Sequence, residues 1–219
     1  AIDIPPPQFV AGDPALDFIN TRYGVGQNEH DCLTDDAAVQ TWLWLAGFSS
    51  GARSAPPEGL CALACRLRDE CKVLLEAAQA GAATLQPDVL NGVLEKGCPC
   101  QVVEWDHEAN AFAVTHRPRD EQPESLLYPI AAAMVAMLTE GRIGRVKECE
   151  AHDCVLLFAD TTKSGRRRWC SMATCGTRMK LLRSGQGGNR HKQGASADGK
   201  AGGYEQDDLI RLAQTADLP

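Results

Sequence analysis

Apolar residues recur every three or four positions through much of the chain, which is the spacing of amphipathic helices. The longest such stripe begins after Pro57, a residue that suits the first position of a helix, and ends at Gly81. Its apolar positions are Leu60, Leu63, Ala64, Leu67, Cys71, Leu74 and Ala78. The pattern predicts a long helix with one buried face.

Shorter stretches predict the rest of a mainly helical domain. Residues 15–21 are expected to begin the first packed element. A helix is then predicted to start after Thr34, the expected N-cap, and to end at Gly47. Further helices are predicted over residues 87–96 and 124–140. Residues 101–105 and 111–116, separated by a turn, predict a small β-hairpin. The fold class expected for the body is therefore α+β.

Four cysteines farther along the chain form two pairs with the same internal spacing. Cys149 and Cys154 have four residues between them, as do Cys170 and Cys175, and fifteen residues separate the pairs. Four thiolates in a tetrahedron are a common ligand set of structural zinc, which binds sulfur at about 2.3 Å. Buried apolar thiols or two disulfides are the alternatives, and the paired spacing favours zinc. His152 is a less favoured ligand, because the four cysteines already complete the set.

The residues around these cysteines predict a small module of hairpin and helix. Residues 155–158 are strand-like, residues 163–165 form a turn, and residues 166–169 are expected to return as the second strand. Ser171 is expected to cap a helix that runs through Met179 to Arg183. Together these elements predict a treble-clef-like zinc finger.

The formal charge of −7 is unevenly distributed along the chain. Residues 142–192 contain twelve Lys or Arg and four Asp or Glu, a balance of +8, so the remainder carries −15. A basic segment on an acidic body is typical of a module that contacts a polyanion. The candidate contacts are Arg166, Arg167, Arg168, Arg178, Lys180 and Arg183. The alternative is that these side chains only keep a small module in solution.

The sequence shows no leader of basic residues followed by an apolar run, and no stretch with the length of a membrane span. We therefore expect a cytoplasmic protein without membrane contact, in which thiols stay reduced. Six further cysteines are then expected to be free thiols: Cys32, Cys61, Cys65, Cys71, Cys98 and Cys100.

The chain is expected to have three parts. Residues 1–140 form the helical domain, residues 141–185 the zinc finger, and residues 186–219 a flexible linker and tail. The linker follows from seven glycines within residues 184–203, and apolar positions in residues 205–218 predict a short terminal helix.

Three polar residues lie beside the first apolar positions: Asp17, Asn20 and Thr21. One interpretation is that they cap and hydrogen-bond neighbouring backbone. The other is that they line a small-molecule pocket.

Two motifs in this order resemble those of a known bacterial family. Residues 157–162, Leu-Phe-Ala-Asp-Thr-Thr, and residues 166–180, which contain Cys-Gly-Thr-Arg, resemble the CGNR zinc finger of stress-induced transcription regulators. In that family the finger follows an ABATE domain, and Leu16-Asp17-Phe18-Ile19-Asn20-Thr21 resembles the motif with which that domain often opens. The resemblance covers residues from about 12 to 185, and departs from the family at Thr177, where the family has Asn.

The resemblance implies a zinc-containing regulator that binds DNA, with an N-terminal domain that senses a small-molecule effector or forms a homodimer. Four thiolates leave zinc no open coordination position, so the metal is expected to be structural. The sequence shows no complete phosphate-binding Gly-x-x-x-x-Gly-Lys-Ser/Thr loop and no His-Glu-x-x-His motif, so we expect that the protein is not an enzyme. Two alternatives remain open. One is a zinc-stabilised module that binds an acidic protein, and the other is a small-molecule-binding or enzymatic N-terminal domain.

Overall fold

The computed structural model describes residues 7–49, 55–82 and 86–185, the last three of these by their backbone alone. These residues form six α-helices: Pro14–Ile19 (α1), Asp36–Leu45 (α2), Leu60–Gln79 (α3), Asp88–Gly97 (α4), Pro123–Thr139 (α5) and Thr177–Gly185 (α6). They also form six strands: Arg22–Tyr23 (β1), His30–Asp31 (β2), Cys100–Asp106 (β3), Ala111–Arg117 (β4), Val146–Glu148 (β5) and Leu157–Ala159 (β6). The strands pair as three antiparallel two-stranded sheets, β1 with β2, β3 with β4 and β5 with β6. The α+β prediction is confirmed.

The long stripe forms α3, which buries Leu60, Ala64, Leu67 and Cys71. The helix begins three residues later than predicted from Pro57, because Gly59 adopts φ 85° and starts the helical turn. Asp36, at the start of α2, accepts hydrogen bonds from the backbone N–H groups of Gly59 at 3.2 Å and Cys61 at 2.6 Å. One carboxylate therefore satisfies donors that the first turn of α3 leaves without helical partners.

The N-cap of α2 is Asp35, and the prediction of Thr34 was wrong. The Asp35 carboxylate accepts from the backbone N–H of Ala38 at 2.8 Å, and the Asp35 backbone is extended. Asp is an equally good capping residue, and its position one residue later lets Asp36 face α3.

Helix α5 lies at the centre of the body. It packs against α1, α3 and α4, and most of its residues between Leu127 and Met137 are buried. Pro129 falls near its start, where a missing N–H donor costs least. Trp42 of α2 completes the core by edge-on contact with Phe18, with ring centroids 5.4 Å apart.

The cysteine segment forms a different hairpin from the one predicted. Strand β6 pairs with β5, which precedes the first cysteine pair, so that Val146 faces Ala159 and Glu148 faces Leu157. Residues 166–169 form no strand; they run past the first cysteine loop, where the Glu150 N–H donates to the Arg168 carbonyl at 2.9 Å. The first cysteine pair therefore occupies the connection between the two strands.

Strand β6 packs directly onto the N-terminal part of the chain. Phe158 is fully buried in the same core as Leu16 and Phe18. The Ala159 N–H donates to the Ala11 carbonyl at 2.8 Å, which joins the segment before α1 to β6. The hairpin of the cysteine segment and the helical body thus share one hydrophobic core.

Among the described helices, none combines the length and the apolar character needed to cross a lipid bilayer. The predicted linker and terminal helix, residues 186–219, lie outside the described residues.

Candidate metal centre and basic surface

The four paired cysteines meet between the β5–β6 hairpin and the start of α6. Cys149 follows β5 directly, and Cys154 lies in the same connection before β6. Cys170 precedes a short π-helical turn, Met172–Gly176, that contains Cys175 and leads into α6. Ser171 caps this turn as predicted, since its hydroxyl accepts from the Thr174 N–H at 3.3 Å.

The separations of the sulfur atoms fit a single metal ion. All four Sγ atoms lie within 4.8 Å of one another, with Cys154 and Cys175 at 3.8 and 3.7 Å from Cys170. A tetrahedron of sulfurs about 2.3 Å from zinc has Sγ–Sγ edges of about 3.8 Å. A disulfide would need about 2.05 Å, and all ten cysteines are free thiols. The geometry therefore favours a metal site over the disulfide alternative.

Backbone hydrogen bonds orient the cysteines of the cluster. The Cys149 N–H donates to the Leu156 carbonyl at 3.0 Å, and the Cys154 N–H to the Ala151 carbonyl at 3.0 Å. The Cys170 N–H points at the Cys149 Sγ, 3.4 Å away, where it stabilises a thiolate. The two halves of the site are thus connected by a bond between a donor of one pair and a sulfur of the other.

The close approach of the thiols makes them chemically unequal. The hydrogen bond between the Cys154 and Cys170 thiols lowers the pKa of Cys154 to about 5. The same bond raises the pKa of Cys170, and burial raises the pKa of Cys175 to about 11. Metal binding at neutral pH must therefore displace protons from several of these thiols.

The other candidate ligands lie outside this cluster. Within the described residues, the four cysteines are the one group of three or more His, Cys, Asp or Glu side chains able to hold a metal ion together. His152 is exposed. Cys61 and Cys65 face the Leu33 carbonyl at 3.3 and 3.8 Å, and burial raises the pKa of Cys61 to about 11. Both therefore pack as thiols against the segment that precedes α2.

The three consecutive arginines have different surroundings. Arg166 and Arg168 are exposed, whereas Arg167 and Trp169 are half-buried, so successive side chains alternate in exposure although the segment forms no strand. The Arg167 guanidinium lies 4.4 Å from the centre of the Phe158 ring. It donates to the carbonyls of Trp169 at 3.0 Å, Val10 at 2.9 Å, Ala159 at 3.3 Å and Cys170. Arg167 therefore connects the finger to the N-terminal segment.

The remaining basic side chains lie at the surface of the finger. Arg168 pairs with Glu150 at 2.5 Å, and Arg178 pairs with Asp153 at 2.9 Å while donating to the Cys175 Sγ at 3.3 Å. Lys180 is exposed on α6. Arg183 belongs to the same helix, and only its backbone is described.

Asp160 organises the turn that carries these arginines, a role that the sequence did not reveal. Its buried carboxylate accepts from Lys147 Nζ at 2.8 Å, from the Arg167 N–H at 2.9 Å and from the Thr162 hydroxyl at 2.6 Å. The Lys147 ammonium, followed by the Thr162 hydroxyl, holds the pKa of Asp160 far below its usual range. The signal in the sequence is the Asp-Thr-Thr turn motif directly after an apolar strand.

The polar residues of the first motif have partners within the protein. The Asp17 Oδ1 accepts from the N–H groups of Val10 and Ala11 at 3.0 and 2.9 Å. Thr21 donates to the Phe18 carbonyl at 2.7 Å and accepts from Arg68 at 3.0 Å. These bonds agree with the interpretation that such side chains satisfy neighbouring backbone.

Asn20 joins the helical body to the finger. Its Nδ2 donates to the Leu157 carbonyl at 2.8 Å, and its Oδ1 accepts from the Leu157 N–H at 2.9 Å. A side-chain amide thus pairs with both backbone polar groups of one β6 residue that lies 137 positions away. Local pattern gave no sign of this partner.

An open cleft of about 630 Å³ lies between α3 and the first cysteine loop. Of the three polar residues in the first motif, Asn20 alone lines it, together with Tyr23, Lys72, Glu76 and Val155. The cleft therefore offers room for a small molecule next to the finger.

Thr177 stands where the resembling family has Asn, at the first position of α6. Its hydroxyl donates to the Met172 carbonyl at 3.0 Å and so supports the π-helical turn. Gly176 before it is buried, and a Cβ there would lie 2.8 Å from the Met172 Sδ. The substitution leaves the cysteine geometry intact.

Comparisons with known proteins agree with the two resembling motifs. A family model described as "ABATE: Putative stress-induced transcription regulator" matches residues 12–141. A second, described as "CGNR zinc finger", matches residues 145–185. A comparison with curated proteins gives no match.

Proposed function

Because the chain belongs to the ABATE family of stress-induced transcription regulators, we propose that it is a cytoplasmic regulator that binds DNA through a zinc-stabilised finger. The observation that carries the proposal is the cluster of four thiols at tetrahedral spacing, directly beside exposed arginines. The metal would hold hairpin and helix together, and the arginines would meet phosphates.

Zinc is the proposed metal because the donor set consists of four cysteine sulfurs. Soft thiolate ligands in a tetrahedron suit zinc, whereas magnesium and calcium prefer oxygen. Cys149, Cys154, Cys170 and Cys175 would fill every coordination position, so the ion would contribute folding free energy rather than catalysis. This supports the proposal that the protein is not an enzyme.

The proposed DNA contacts lie on two segments joined by the metal site, and those whose side chains the structure describes are exposed. Arg166 and Arg168 precede Cys170, and Arg178, Lys180 and Arg183 belong to α6, which begins beside Cys175. The ion pairs of Arg168 and Arg178 are with exposed carboxylates, and such pairs contribute little to stability. A phosphate oxygen can therefore replace Glu150 or Asp153 as the partner.

Arg167 is better assigned to the structure than to DNA. Its guanidinium is engaged by backbone carbonyls and the Phe158 ring, and leaving them for a phosphate would break the connection to Val10. We propose that it positions Arg166 and Arg168 on the opposite side of the segment.

We propose that the helical body binds a small-molecule effector. The cleft beside α3 supports it, since its lining combines apolar Tyr23 and Val155 with charged Lys72 and Glu76. Ligand pockets of this size commonly lie between structural units. A ligand there would touch both the body and the connection that carries Cys154.

The test is selection of bound duplexes from a random DNA pool by the zinc-loaded chain at two salt concentrations. We expect an enriched sequence and an affinity that falls steeply with salt, because bound arginines release counterions. Protein stripped of metal by a chelator is the control and should enrich nothing. A steep salt dependence with no enriched sequence, together with capture of acidic proteins by the zinc-loaded form, would reject DNA-specific regulation in favour of a protein-binding finger.

A further inference from the structure

The β3–β4 hairpin exposes a continuous apolar face. Val103, Trp105, Phe112 and Val114 are 66%, 44%, 75% and 57% exposed. Val103 faces Val114 across the strands, and Trp105 faces Phe112 with ring centroids 5.1 Å apart and the rings edge-on. The four side chains therefore form one patch on one face, which we call the hairpin face.

The opposite side of the same hairpin mixes polar residues with the small apolar side chains of Val102 and Ala113. There the Thr115 hydroxyl donates to Glu104 at 2.8 Å, and Arg117 pairs with Glu104. In the described part of the chain, the hydrophobic core contains no residue of this hairpin. A two-stranded hairpin without a core to pack on is marginally stable in water, so the hairpin face needs cover.

We propose that the hairpin face is covered by the hairpin face of a second copy of this chain. The face carries no ionised side chain among its four apolar members, whereas the whole chain carries −7. Outside the basic segment of residues 142–192 the chain carries −15, so the acidic bodies of two copies repel each other, and an uncharged patch on that body is where their close approach costs least. Nucleic acid is disfavoured as the occupant, because the patch offers no cation to a phosphate.

The patch also suits two-fold symmetry. The partners of a symmetric dimer present the same surface to each other. Here each face pairs an aliphatic row, Val103 with Val114, with an aromatic row, Trp105 with Phe112. Two faces related by a two-fold axis bring aromatic side chains from both copies together, in the stacked or edge-on arrangements that such rings prefer.

The available area fits a dimer of modest affinity. With whole aromatic side chains of about 150–250 Å², the exposed parts of Trp105 and Phe112 alone leave roughly 180–300 Å² of apolar surface per copy, and Val103 and Val114 add to it. A standard interface buries about 800 Å² per partner, with an apolar centre and a polar rim. The hairpin face supplies the centre, and the flanking Gln101 and His116 lie where a rim would form.

The role of the dimer in DNA binding rests on the proposed function, whereas the existence of the dimer can be tested without DNA. A dimer would present two basic fingers, and paired modules read two half-sites at a fixed spacing on DNA. The β3–β4 hairpin would then set the distance between the fingers.

The experiment is sedimentation velocity of the zinc-loaded full chain over a range of concentrations without DNA. We expect a dimer that dissociates on dilution. The variant Phe112→Glu should be monomeric at every concentration at which the parent is dimeric. Val73→Glu is the matched control, since Val73 is 47% exposed on α3, away from the hairpin, and should leave the dimer unchanged.

A second variant guards against a hairpin that simply unfolds. Val103→Thr with Val114→Thr keeps β-branched residues of high strand propensity and removes apolar surface, so it should weaken the dimer with unchanged circular dichroism. A monomeric parent, or a Phe112→Glu variant that dimerises like the parent, overturns the proposal. If the parent is monomeric but dimerises once residues 205–219 are deleted, the hairpin face is covered by the terminal segment of the same chain, and the dimer proposal is wrong. A dimer that binds no DNA rejects the proposed function alone.

Discussion

At the scale of single residues, the arginine run shows how neighbours in sequence acquire separate roles. Arg167 is held by backbone carbonyls of the finger and of Val10, whereas Arg166 and Arg168 are exposed. The difference arises because an extended backbone turns successive side chains to opposite sides. One side meets Phe158 and the N-terminal segment, and the other meets solvent.

We therefore predict that Arg166→Ala combined with Arg168→Ala weakens DNA binding and flattens its salt dependence. Each lost phosphate contact reduces the slope of log affinity against log salt by about 0.9, so two contacts remove up to about 1.8. Fluorescence anisotropy at several salt concentrations measures the slope. Arg178 is left intact, because it donates to the Cys175 sulfur and its loss could disturb the metal site.

Arg22→Ala is the matched control, because Arg22 is an exposed arginine paired with Glu29 on the helical body. It should leave both affinity and slope unchanged. Equal slopes for the parent and the double variant, with zinc retained, would show that these arginines only keep the finger in solution.

Asp17 is a second residue whose surroundings change its chemistry. It is 2% exposed, and burial raises its pKa to about 7, against the opposing hydrogen bonds from Ala11 and Val10. The folded protein therefore retains a proton that the unfolded chain releases near pH 4. The Asp17 contribution to stability is present below about pH 4 and is lost as the pH rises toward 7.

We predict that Asp17→Asn removes the loss of folding stability that Asp17 causes as the pH rises from about 4 toward 7. The amide oxygen can still accept from Val10 and Ala11 but cannot ionise, so the stability of the variant relative to the parent should rise between pH 4 and pH 7. The slope difference should reach up to about one proton. Urea unfolding over this pH range measures it, with exposed Glu108→Gln as the control. Parallel curves for the parent and Asp17→Asn would contradict the raised pKa.

At the scale of elements, α1 and β6 are joined by one side chain. The Asn20 amide pairs with both the N–H and the carbonyl of Leu157, on the strand that leads from the first cysteine pair. Because β6 is only three residues long, this pairing and the Ala11 contact supply much of its hydrogen bonding outside the hairpin. The motif that opens the helical body thus acts as a docking site for the finger.

Asn20→Ala is predicted to lower the free energy of unfolding by about 1 kcal/mol, because it removes the partners of the partly buried N–H and carbonyl of Leu157. Thermal and urea unfolding of the zinc-loaded protein measure the loss. Asn91→Ala, at an exposed position of α4, is the control and should change little. Unchanged stability in Asn20→Ala would favour the pocket interpretation of this residue over the docking one.

At the scale of the whole molecule, the metal site and the helical body share a hydrophobic core. Phe158 and Leu156 lie between the cysteines and α1, and they belong to the same core as Leu16. Loss of metal is therefore expected to affect more than the finger. The expectation that residues 1–140 fold alone stays a prediction, and such a fragment would expose the surface of α1 that now meets β6.

We predict that Cys170→Ser binds less than one zinc per chain and unfolds at a lower temperature than the parent. The remaining thiolates cannot close the tetrahedron, and metal binding contributes directly to folding. Metal analysis after gel filtration and thermal circular dichroism measure both effects. A chelator should produce the same destabilisation in the parent.

Cys98→Ser with Cys100→Ser is the control, since both residues lie outside the four-cysteine cluster. That variant should retain one zinc. Full zinc content in Cys170→Ser would contradict the ligand assignment.

Local pattern in the sequence sufficed for the helices and for the candidate ligands. The stripe of α3, the β3–β4 hairpin and the Ser171 cap depend on residues within a few turns of one another, where side-chain spacing and capping act directly. The cysteine pairs could be recognised for the same reason, because each pair closes a short loop whose spacing fixes how its two sulfurs can meet.

The tertiary structure alone decided which of these elements meet. Strand β6 could pair with residues on either side of it in sequence, and it pairs with β5, while Asp160 directly after it accepts from Lys147 of β5 and from the Arg167 N–H. Asn20 donates a hydrogen bond to Leu157, and Arg167 donates one to Val10, although each pair is separated by most of the chain. Such contacts depend on how the shared core packs. Every backbone carbonyl is chemically the same acceptor, so the partner of a side chain is set by which carbonyl the fold places within hydrogen-bond distance.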